Sequence, residues 1–391
     1  MLPAHPRSDI EYRLALYWHD GGGVGHFVRQ ARIADAVLAQ APGSTVFGIS
    51  GSSGLADHLL PRNVDTVKLP SFVYPRTFHP RAVANTSMDL VTHMRRELLA
   101  AFMTGYEPDV LLVDSHPGGW GNELDACYRR TRPAKVLGLR GVLDGPAVAQ
   151  RYFFSTAASD YIAEHFGTIL VYTDPKVFRL EEYYDIPQSV LSRFVYTGYV
   201  TPYGSNTPQN QPRRGSRVLV AHFGSGRGSE ALWKVLVPVL SALPHVFDKC
   251  YLFGGMYFAD GFATEVGSAI RDAEHLEWRP FSGDMLKLLA TADLFVGAGG
   301  YNSIAEILST GTNSLLVNRQ QHSQEQEIHI TRLAELGLVH KCATGEFTER
   351  DLPRAIERAL AEPRPVNGAL VPLVSGAERA ASCLLSQVRS L

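Results

Sequence analysis

Short runs of apolar, β-branched residues alternate with segments of helical period along the whole chain, and this alternation restricts the possible folds more than any other feature. After the run RLALYW at 13–18, the segment HFVRQARIADAVLAQ carries apolar residues at helical spacing: Phe27, Ile33, Ala34, Val37 and Leu38. Such alternation is typical of βαβ units, whose helices cover a parallel sheet. The sequence therefore predicts an α/β protein.

The strand candidates form two groups. The first group is 13–18, 45–50, 65–69, 109–114, 135–140 and 168–172, and the second is 217–223, 249–254, 275–281, 293–298 and 313–318. Between the groups, TPYGSNTPQNQPRRGS is rich in Pro, Gly, Ser, Asn and Gln without an apolar period, which is typical of a linker. We therefore expect two α/β domains facing each other across a cleft, with these bounds: 1–200, a linker at 201–216, 217–370, and a C-terminal helix in 371–391 that packs back toward the first domain.

Composition limits the class of partner. The chain has 391 residues and is 45% apolar, which suffices for two cores. The formal net charge is −2 and basic residues are scattered, so a nucleic-acid partner is excluded and a small substrate is favoured. The four cysteines lack the spacing of a zinc site or a disulfide framework. With no signal-like N-terminus and no apolar run near the roughly 18 residues that span a bilayer, we expect a cytoplasmic protein without stable membrane insertion.

Three loops between a strand and a helix carry ligand-binding residue types. The first, HDGGGVGHF, contains Gly22, Gly23 and Gly25 before His26. Glycines let backbone N–H groups approach a ligand, and a helix N-terminus favours negative charge. The pattern is neither G-x-G-x-x-G nor a P-loop. A tight turn in which His26 only caps the helix is therefore an equal alternative.

The second loop is HFGSGRGSE at 222–230. Gly224, Ser225 and Gly226 suit a backbone nest for a diphosphate, although the lysine of a P-loop is missing. Arg227 either pairs with a phosphate or is a solvated residue at the loop tip.

The third segment follows the fourth strand candidate of the second group. Gly299 and Gly300 turn the chain here. Asn302 or Ser303 is expected to cap the next helix, with Glu306 in its first turn. A carboxylate at this place can accept hydrogen bonds from both hydroxyls of a ribose, or it is an ordinary acid stabilised by the helix dipole.

The next helix start offers further polar groups. Gln324, Glu325 and Gln326 suit sugar hydroxyls, although such a run can also be a solvated helix face. The loops of Glu306 and of this run follow consecutive strands. Because the carboxyl ends of parallel strands meet at one sheet edge, where ligands bind, we expect these groups to converge.

Together, GGGVGH, FGSGRG and ADLFVGAGGYNSIAEILSTGTNSLLVNRQQHSQEQ resemble the GT-B glycosyltransferases related to MurG, in motif order and spacing over both halves of the chain. The chain is similar also to uncharacterised bacterial glycosyltransferases of this size, on EPDVLLVDSHPGGWGNEL, VLGLRGVLD and VYTGYV. The resemblance implies the GT-B fold: a Rossmann-like N-terminal domain that binds the acceptor and a Rossmann-like C-terminal domain that binds a nucleotide sugar. It also implies inversion of the anomeric centre, no metal, and no cofactor beyond the co-substrate.

The resemblance implies which residues contact the donor: Gly22, Gly23, Gly25 and His26 near its phosphates, Gly224, Ser225 and Gly226 under the diphosphate, Phe281 to Met285 around the base, Glu306 on the ribose, and Glu325 and Gln326 near the transferred sugar. Val24 departs from the usual GGTGGH motif, and Glu325 replaces a glutamine, which leaves the donor sugar open. The family commonly uses UDP-N-acetylglucosamine or UDP-hexoses. An acid on the ribose favours UDP, because dTDP lacks the 2′-hydroxyl.

A general base is expected on the N-terminal side of the cleft. His26 is the first candidate, since an imidazole takes up a proton near neutral pH; alternatively it only positions a phosphate. His19, Asp20, Asp114 and His116 stand at neighbouring strand ends and are the substitutes. No acidic DxD-like pair follows a strand, so no metal site is expected.

The acceptor pocket is expected from the N-terminal loops, with Tyr74, Phe78, Trp120 and Arg140, although such aromatic residues are as often packing residues. No apolar or basic membrane-facing patch is evident there, which disfavours a lipid-linked acceptor. We expect a monomer or homodimer that glycosylates a small molecule or saccharide, in natural-product or cell-surface glycan biosynthesis. A non-hydrolysing UDP-sugar 2-epimerase and a non-catalytic nucleotide-sugar-binding protein are the alternatives.

Overall fold

The computed structural model describes residues 10–18, 24–51, 60–73, 80–202, 211, 215–319, 323–362 and 373–388. The strands of the first half are β1 (Arg13–Trp18), β2 (Thr45–Ser50), β3 (Val64–Lys68), β4 (Phe72–Val73), β5 (Arg81–Ala82), β6 (Val110–Asp114), β7 (Ala134–Arg140), β8 (Thr168–Tyr172) and β9 (Phe194–Tyr196). Strands β4 and β5 form a small antiparallel hairpin. The others form a parallel sheet in the order β3-β2-β1-β6-β7-β8-β9.

The helices around this sheet are α1 (Gly25–Gln40), α2 (Met88–Tyr106), α3 (Asp125–Arg130), α4 (Pro146–Ala149), α5 (Thr156–His165), α6 (Leu180–Tyr183) and α7 (Gln188–Leu191). Local signals set the bounds of α2. Its first turn is capped by Ser87, whose side chain accepts a hydrogen bond from the Leu90 amide, and it ends where Glu107 turns left-handed at φ 49°. In α1, apolar residues such as Ile33 and Val37 are fully buried against the sheet.

The second half repeats this plan with strands β10 (Val218–His222), β11 (Lys249–Phe253), β12 (Leu276–Arg279), β13 (Leu294–Ala298), β14 (Ser314–Val317) and β15 (His340–Cys342). They pair in parallel in the order β12-β11-β10-β13-β14-β15. The helices are α8 (Glu230–Ser241), α9 (Asp260–Ala269), α10 (Met285–Leu289), α11 (Tyr301–Thr310), α12 (Glu325–Glu335), α13 (Leu352–Ala361) and α14 (Gly376–Val388).

Both sheets reverse their strand order beside the first strand, between β1 and β6 in one and between β10 and β13 in the other. In such open sheets, the loops that leave the two strands on either side of the reversal diverge and leave a crevice, where ligands bind. These four loops are therefore the places where the fold favours a site, and they hold the first two glycine motifs and the start of the third.

The chain returns to the first domain at its end. Helix α14 packs along α1, where Ser382 Oγ donates to Gln40 Oε1 at 2.9 Å, and Ser375 forms a β-bridge with Val200. The apolar core of the first domain also continues into the second through buried residues of α11 and α12, among them Ile304 and Ile330. The two domains thus share one continuous apolar core.

The structure confirms the predicted α/β class with two Rossmann-like domains facing each other across a cleft. Each of the strands predicted from the sequence is present, and its observed ends lie within two residues of the predicted ones. The hairpin β4–β5 and the edge strands β9 and β15 were missed because two or three residues are too few to show a periodic pattern. Most of the predicted linker, 203–210 and 212–214, lies outside the described residues. Within the described chain, no helix is both long and apolar enough to cross a bilayer.

Candidate active site

A cleft of about 730 Å³ lies between the domains, at the two places where the strand order reverses. The start of α1 forms one wall, and the loops after β10, β12 and β13 form the other. This cleft brings together most of the residues predicted to bind the donor, with Arg140 from the predicted acceptor pocket: Gly25, His26, Gly224, Ser225, Phe281, Met285, Gly300, Asn302, Ser303, Glu306, Glu325 and Gln326.

On the N-terminal wall, His26 contacts a buried carboxylate. Asp114 Oδ2 lies 2.6 Å from His26 Nδ1 and 2.6 Å from Arg29 Nη2, and the Asp114 side chain is fully buried. Burial opposes ionisation of Asp114, but Arg29 and His26 outweigh it and hold the pKa of the carboxyl at about 2. An ionised Asp114 only accepts, so His26 Nδ1 carries the proton and Nε2 is left as the acceptor.

The pKa of His26 is lowered from its ordinary value. Burial is the largest cause, and Arg29 and Arg140 lower the pKa further, while Asp114 raises it. The lowered pKa keeps the imidazole neutral at neutral pH. The side chain is 19% exposed and lines the cleft, so it can accept a proton from a hydroxyl that binds there.

Sheet pairing explains why these residues meet. Asp114 ends β6 directly beside Trp18, the last residue of β1, and α1 begins a few residues after β1. Arg29 then follows His26 by three residues, on the same face of α1. Ser115, directly after Asp114, adopts φ 71°, and its amide donates to Gly138 O at 2.8 Å. A non-glycine residue in this conformation is uncommon and is typical of functional sites.

The loop after β10 is shaped by its backbone. Gly224, Gly226 and Gly228 have φ of 75°, 93° and 72°, a region that only glycine adopts easily. A β-carbon at Gly226 would lie 2.5 Å from Gly254 O. Ser229 is fully buried, and its hydroxyl donates to Gly226 O at 2.7 Å, so this hydroxyl stabilises the loop.

Helix α11 differs from its predicted start. Gly300 is the N-cap residue and no side chain caps the helix, so neither Asn302 nor Ser303 has the predicted capping role. Because the helix begins at Tyr301, Glu306 lies in its second turn and not in its first. Asn302 Nδ2 instead donates across the cleft to Gly25 O at 3.2 Å.

Two ion pairs also cross the cleft. Arg32 of α1 binds Glu306 of α11, and Arg140 at the end of β7 binds Glu325 at the start of α12. Burial raises the pKa of Glu325, although Arg140 and Arg29 oppose this. Arg140 was predicted for the acceptor pocket, and the structure places it against a residue predicted near the transferred sugar. Sequence analysis missed Arg29 and Arg32, whose only local signal is their spacing of three and six residues after His26.

Several predicted residues lie away from the cleft. Arg227 is exposed, with its guanidinium over the Tyr257 ring at 5.4 Å. Trp120 packs against Phe72, with ring centroids 4.6 Å apart. His116 is exposed and is not among the described residues that line the cleft.

Six predicted residues lie outside the described part of the chain, and two predicted glycines pack within the protein and do not line the cleft. Gly299 is closely packed, since a β-carbon there would lie 2.4 Å from Ile330 Cγ1. Gly226 packs against Gly254, as described above. Outside the described residues lie Gly22, Gly23, Tyr74 and Phe78, together with the substitute bases His19 and Asp20.

The N-terminal domain exposes an apolar stripe that the sequence analysis did not identify. Leu90, Met94 and Leu98 recur every four residues on one face of α2 and are 47%, 44% and 42% exposed. The buried positions Val91, Arg95 and Leu99 each follow one residue later and form the neighbouring stripe of the helix, about 100° around its axis. Sequence alone did not show which apolar residues of this helix face the core. No group of acidic, histidine or cysteine side chains suited to a metal ion occurs in the described part of the chain.

Comparisons with known proteins agree with this architecture. Residues 262–368 match the glycosyltransferase family 28 C-terminal domain. The UDP-N-acetylglucosamine–N-acetylmuramyl-(pentapeptide) pyrophosphoryl-undecaprenol N-acetylglucosamine transferase of Desulforudis audaxviator is 24% identical, over 88% of this chain and 89% of that protein.

Solved structures extend the likeness to the whole fold. MurG of Acinetobacter baumannii superposes with a TM-score of 0.57 at 15% identity and covers 97% of this chain and 100% of its own. UDP-GlcNAc 2-epimerase of Methanocaldococcus jannaschii superposes with a TM-score of 0.59 at 10% identity, covering 96% and 99%. The fold and the family match define a glycosyltransferase of the GT-B class. Within that class the chain is similar to MurG over most of its length.

Proposed function

We propose that this protein transfers a sugar, with N-acetylglucosamine as the first candidate, from a UDP-sugar donor to a hydroxyl of a small-molecule or saccharide acceptor, with inversion and without a metal. One observation carries the proposal: the His26–Asp114 pair opens into the same cleft as Glu306 and the glycine loop after β10. The base and the donor-binding groups therefore face one reaction space.

In this mechanism His26 is the general base. Asp114 holds the imidazole with Nδ1 protonated, so Nε2 accepts the proton of the acceptor hydroxyl as its oxygen bonds to the anomeric carbon. The bond from that carbon to the diphosphate breaks, and the nucleoside diphosphate leaves with the electron pair. The ionised Asp114 then stabilises the imidazolium that forms.

The donor is bound by the other wall. The glycine loop precedes α8, so backbone N–H groups and the positive end of the helix dipole favour the diphosphate. Glu306 is proposed to accept hydrogen bonds from the ribose, which requires the carboxylate to share or exchange its contact with Arg32. The name of the Desulforudis relative includes UDP-N-acetylglucosamine, which supports this donor as the first to test.

The test is a donor and acceptor screen on the full chain. UDP release is measured with UDP-N-acetylglucosamine and a panel of saccharide and aglycone alcohols, with and without EDTA, and the anomeric configuration of the product is assigned by NMR. We expect UDP release that depends on acceptor, survives EDTA and yields the inverted product. Formation of the 2-epimer from the donor alone would show an epimerase, and donor binding without turnover of any acceptor would show a binding protein.

A further inference from the structure

The charges in the cleft are almost all neutralised by protein partners. Each of these cationic side chains has a carboxylate partner within 4.0 Å: Arg29 with Asp114, Arg32 with Glu306, Arg140 with Glu325, and Lys287 with Asp284. Among the lysines and arginines described in the cleft lining, Arg319 is the exception, since no carboxylate oxygen in the described chain lies within that distance. Of the lysine and arginine charges in the described part of the lining, that of Arg319 is therefore the one left for an anionic ligand.

Arg319 follows β14 and faces the glycine loop. A β-carbon at Gly224 would lie 3.8 Å from Arg319 Nη2, and Arg319 Nη1 donates to Arg227 O at 3.0 Å. The Arg319 amide donates to Gln326 Oε1 at 3.1 Å, which fixes the backbone that carries the side chain. The guanidinium is thus held against the loop, and it has more hydrogen-bond donors than its one contact among the described residues, to Arg227, uses.

The surroundings of Arg319 disfavour an uncompensated charge. Burial lowers the pKa of the Arg319 guanidinium from its ordinary value, and Glu230 at the start of α8 only partly opposes this. A bound anion beside the side chain would compensate this desolvation. Arg227, the arginine that the sequence favoured as a phosphate partner, is instead exposed and stacked on Tyr257.

We propose that Arg319 binds the diphosphate of the donor and stabilises the charge that develops on it as the bond to the sugar breaks. This inference rests on the proposed function, because it assigns one contact to that donor. Arginine suits the role, since its planar donors match phosphate oxygens. The glycine loop brings backbone to one side of the diphosphate, and Arg319 supplies a full positive charge, which backbone N–H groups lack.

The experiment compares uridine, UMP and UDP by calorimetric titration. The proteins are the wild type, Arg319→Gln, Arg319→Lys, Arg227→Gln and the matched control Arg350→Gln, whose side chain is 91% exposed in the same domain. We expect Arg319→Gln to weaken UDP binding about 10- to 100-fold, the size of a hydrogen bond to a charged group, and to leave uridine binding within twofold. Arg319→Lys should recover part of the loss, and Arg350→Gln should change nothing.

The nucleoside arm separates a phosphate contact from general damage to the fold. Any of three results would overturn the assignment of Arg319 and leave the proposed function standing. Arg319→Gln could lose as much affinity for uridine as for UDP, it could keep its UDP affinity, or Arg227→Gln could lose more UDP affinity than Arg319→Gln. If the wild type binds neither UDP nor uridine, the proposed donor is wrong and the inference falls with it.

Discussion

The two walls of the cleft are built in different ways. On the N-terminal wall, buried side chains hold one another: Asp114 accepts from both His26 and Arg29. On the C-terminal wall, the backbone makes the shape, with glycines at positive φ before α8 and a helix start at Gly300 without a side-chain cap. The first arrangement is typical of a site that moves a proton, and the second of a site that receives an anion.

This difference assigns separate effects to the two walls. Changing a side chain on the N-terminal wall is expected to alter kcat or its pH dependence. Changing the C-terminal wall is expected to alter donor affinity or the stability of the loop. The same assays on both walls therefore show whether the division is real.

The largest expected effect is on the N-terminal wall. His26→Ala removes the proposed base, so kcat should fall by about 10²- to 10⁴-fold while the donor KM stays within about threefold. Steady-state kinetics at saturating acceptor measures both. His93→Ala, an exposed histidine on α2, is the matched control. A normal kcat in His26→Ala would remove this residue as the base.

The counterpart on the C-terminal wall is Glu306→Gln. The amide still accepts one hydrogen bond but loses the charge, so the donor KM should rise roughly 10-fold or more with a smaller change in kcat. The 2′-deoxy form of the donor sharpens the test, because it lacks one of the hydroxyls that the carboxylate is proposed to bind. If Glu306→Gln raises the KM of the deoxy donor as much as that of the natural donor, Glu306 acts through Arg32 and not on the ribose.

The glycine loop tests the backbone directly. Gly226→Ala places a β-carbon near Gly254 O at a φ of 93°, so the variant should lose about 1–3 kcal/mol of unfolding free energy. Urea denaturation measures it. Gly267→Ala, on an exposed face of α9 with no atom near the new methyl group, should instead gain about 0.5–1 kcal/mol. Equal stabilities of the two variants would contradict the conclusion that the loop needs glycine at its positive φ angles.

The smallest expected effect is a shift in pH dependence. Burial lowers the pKa of His26 most, Asp114 raises it, and Arg29 and Arg140 lower it further. His26 also lowers the pKa of the nearby His116. Arg29→Met removes a lowering charge, so the pKa of His26 should rise and the acid limb of kcat/KM should move about one unit toward higher pH. Arg29→Lys keeps the charge and should stay near the wild-type profile. A shift toward lower pH would contradict the stated role of Arg29.

Local motifs explain the successful part of the site prediction. Gly224 and Ser225 were found because they lie within three residues of a strand end, and Glu306 because it lies on the helix that follows a strand; all three line the cleft. The contacts made by the arginines were not predictable in this way. Arg140 and Glu325 are 185 residues apart, and Arg32 and Glu306 are 274 apart, so no spacing pattern relates them.

The chain's own sequence determined the α/β class, the division into two domains and the strand ends from which ligand-binding loops leave, because short-range periodicity and turn residues encode these features. Only the tertiary structure decided that Asp114 meets His26, that Arg319 faces the glycine loop while Arg227 does not, and that Leu90, Met94 and Leu98 are exposed. These outcomes depend on which strands pair and on how the two domains pack. Such long-range contacts leave no periodic pattern in the sequence.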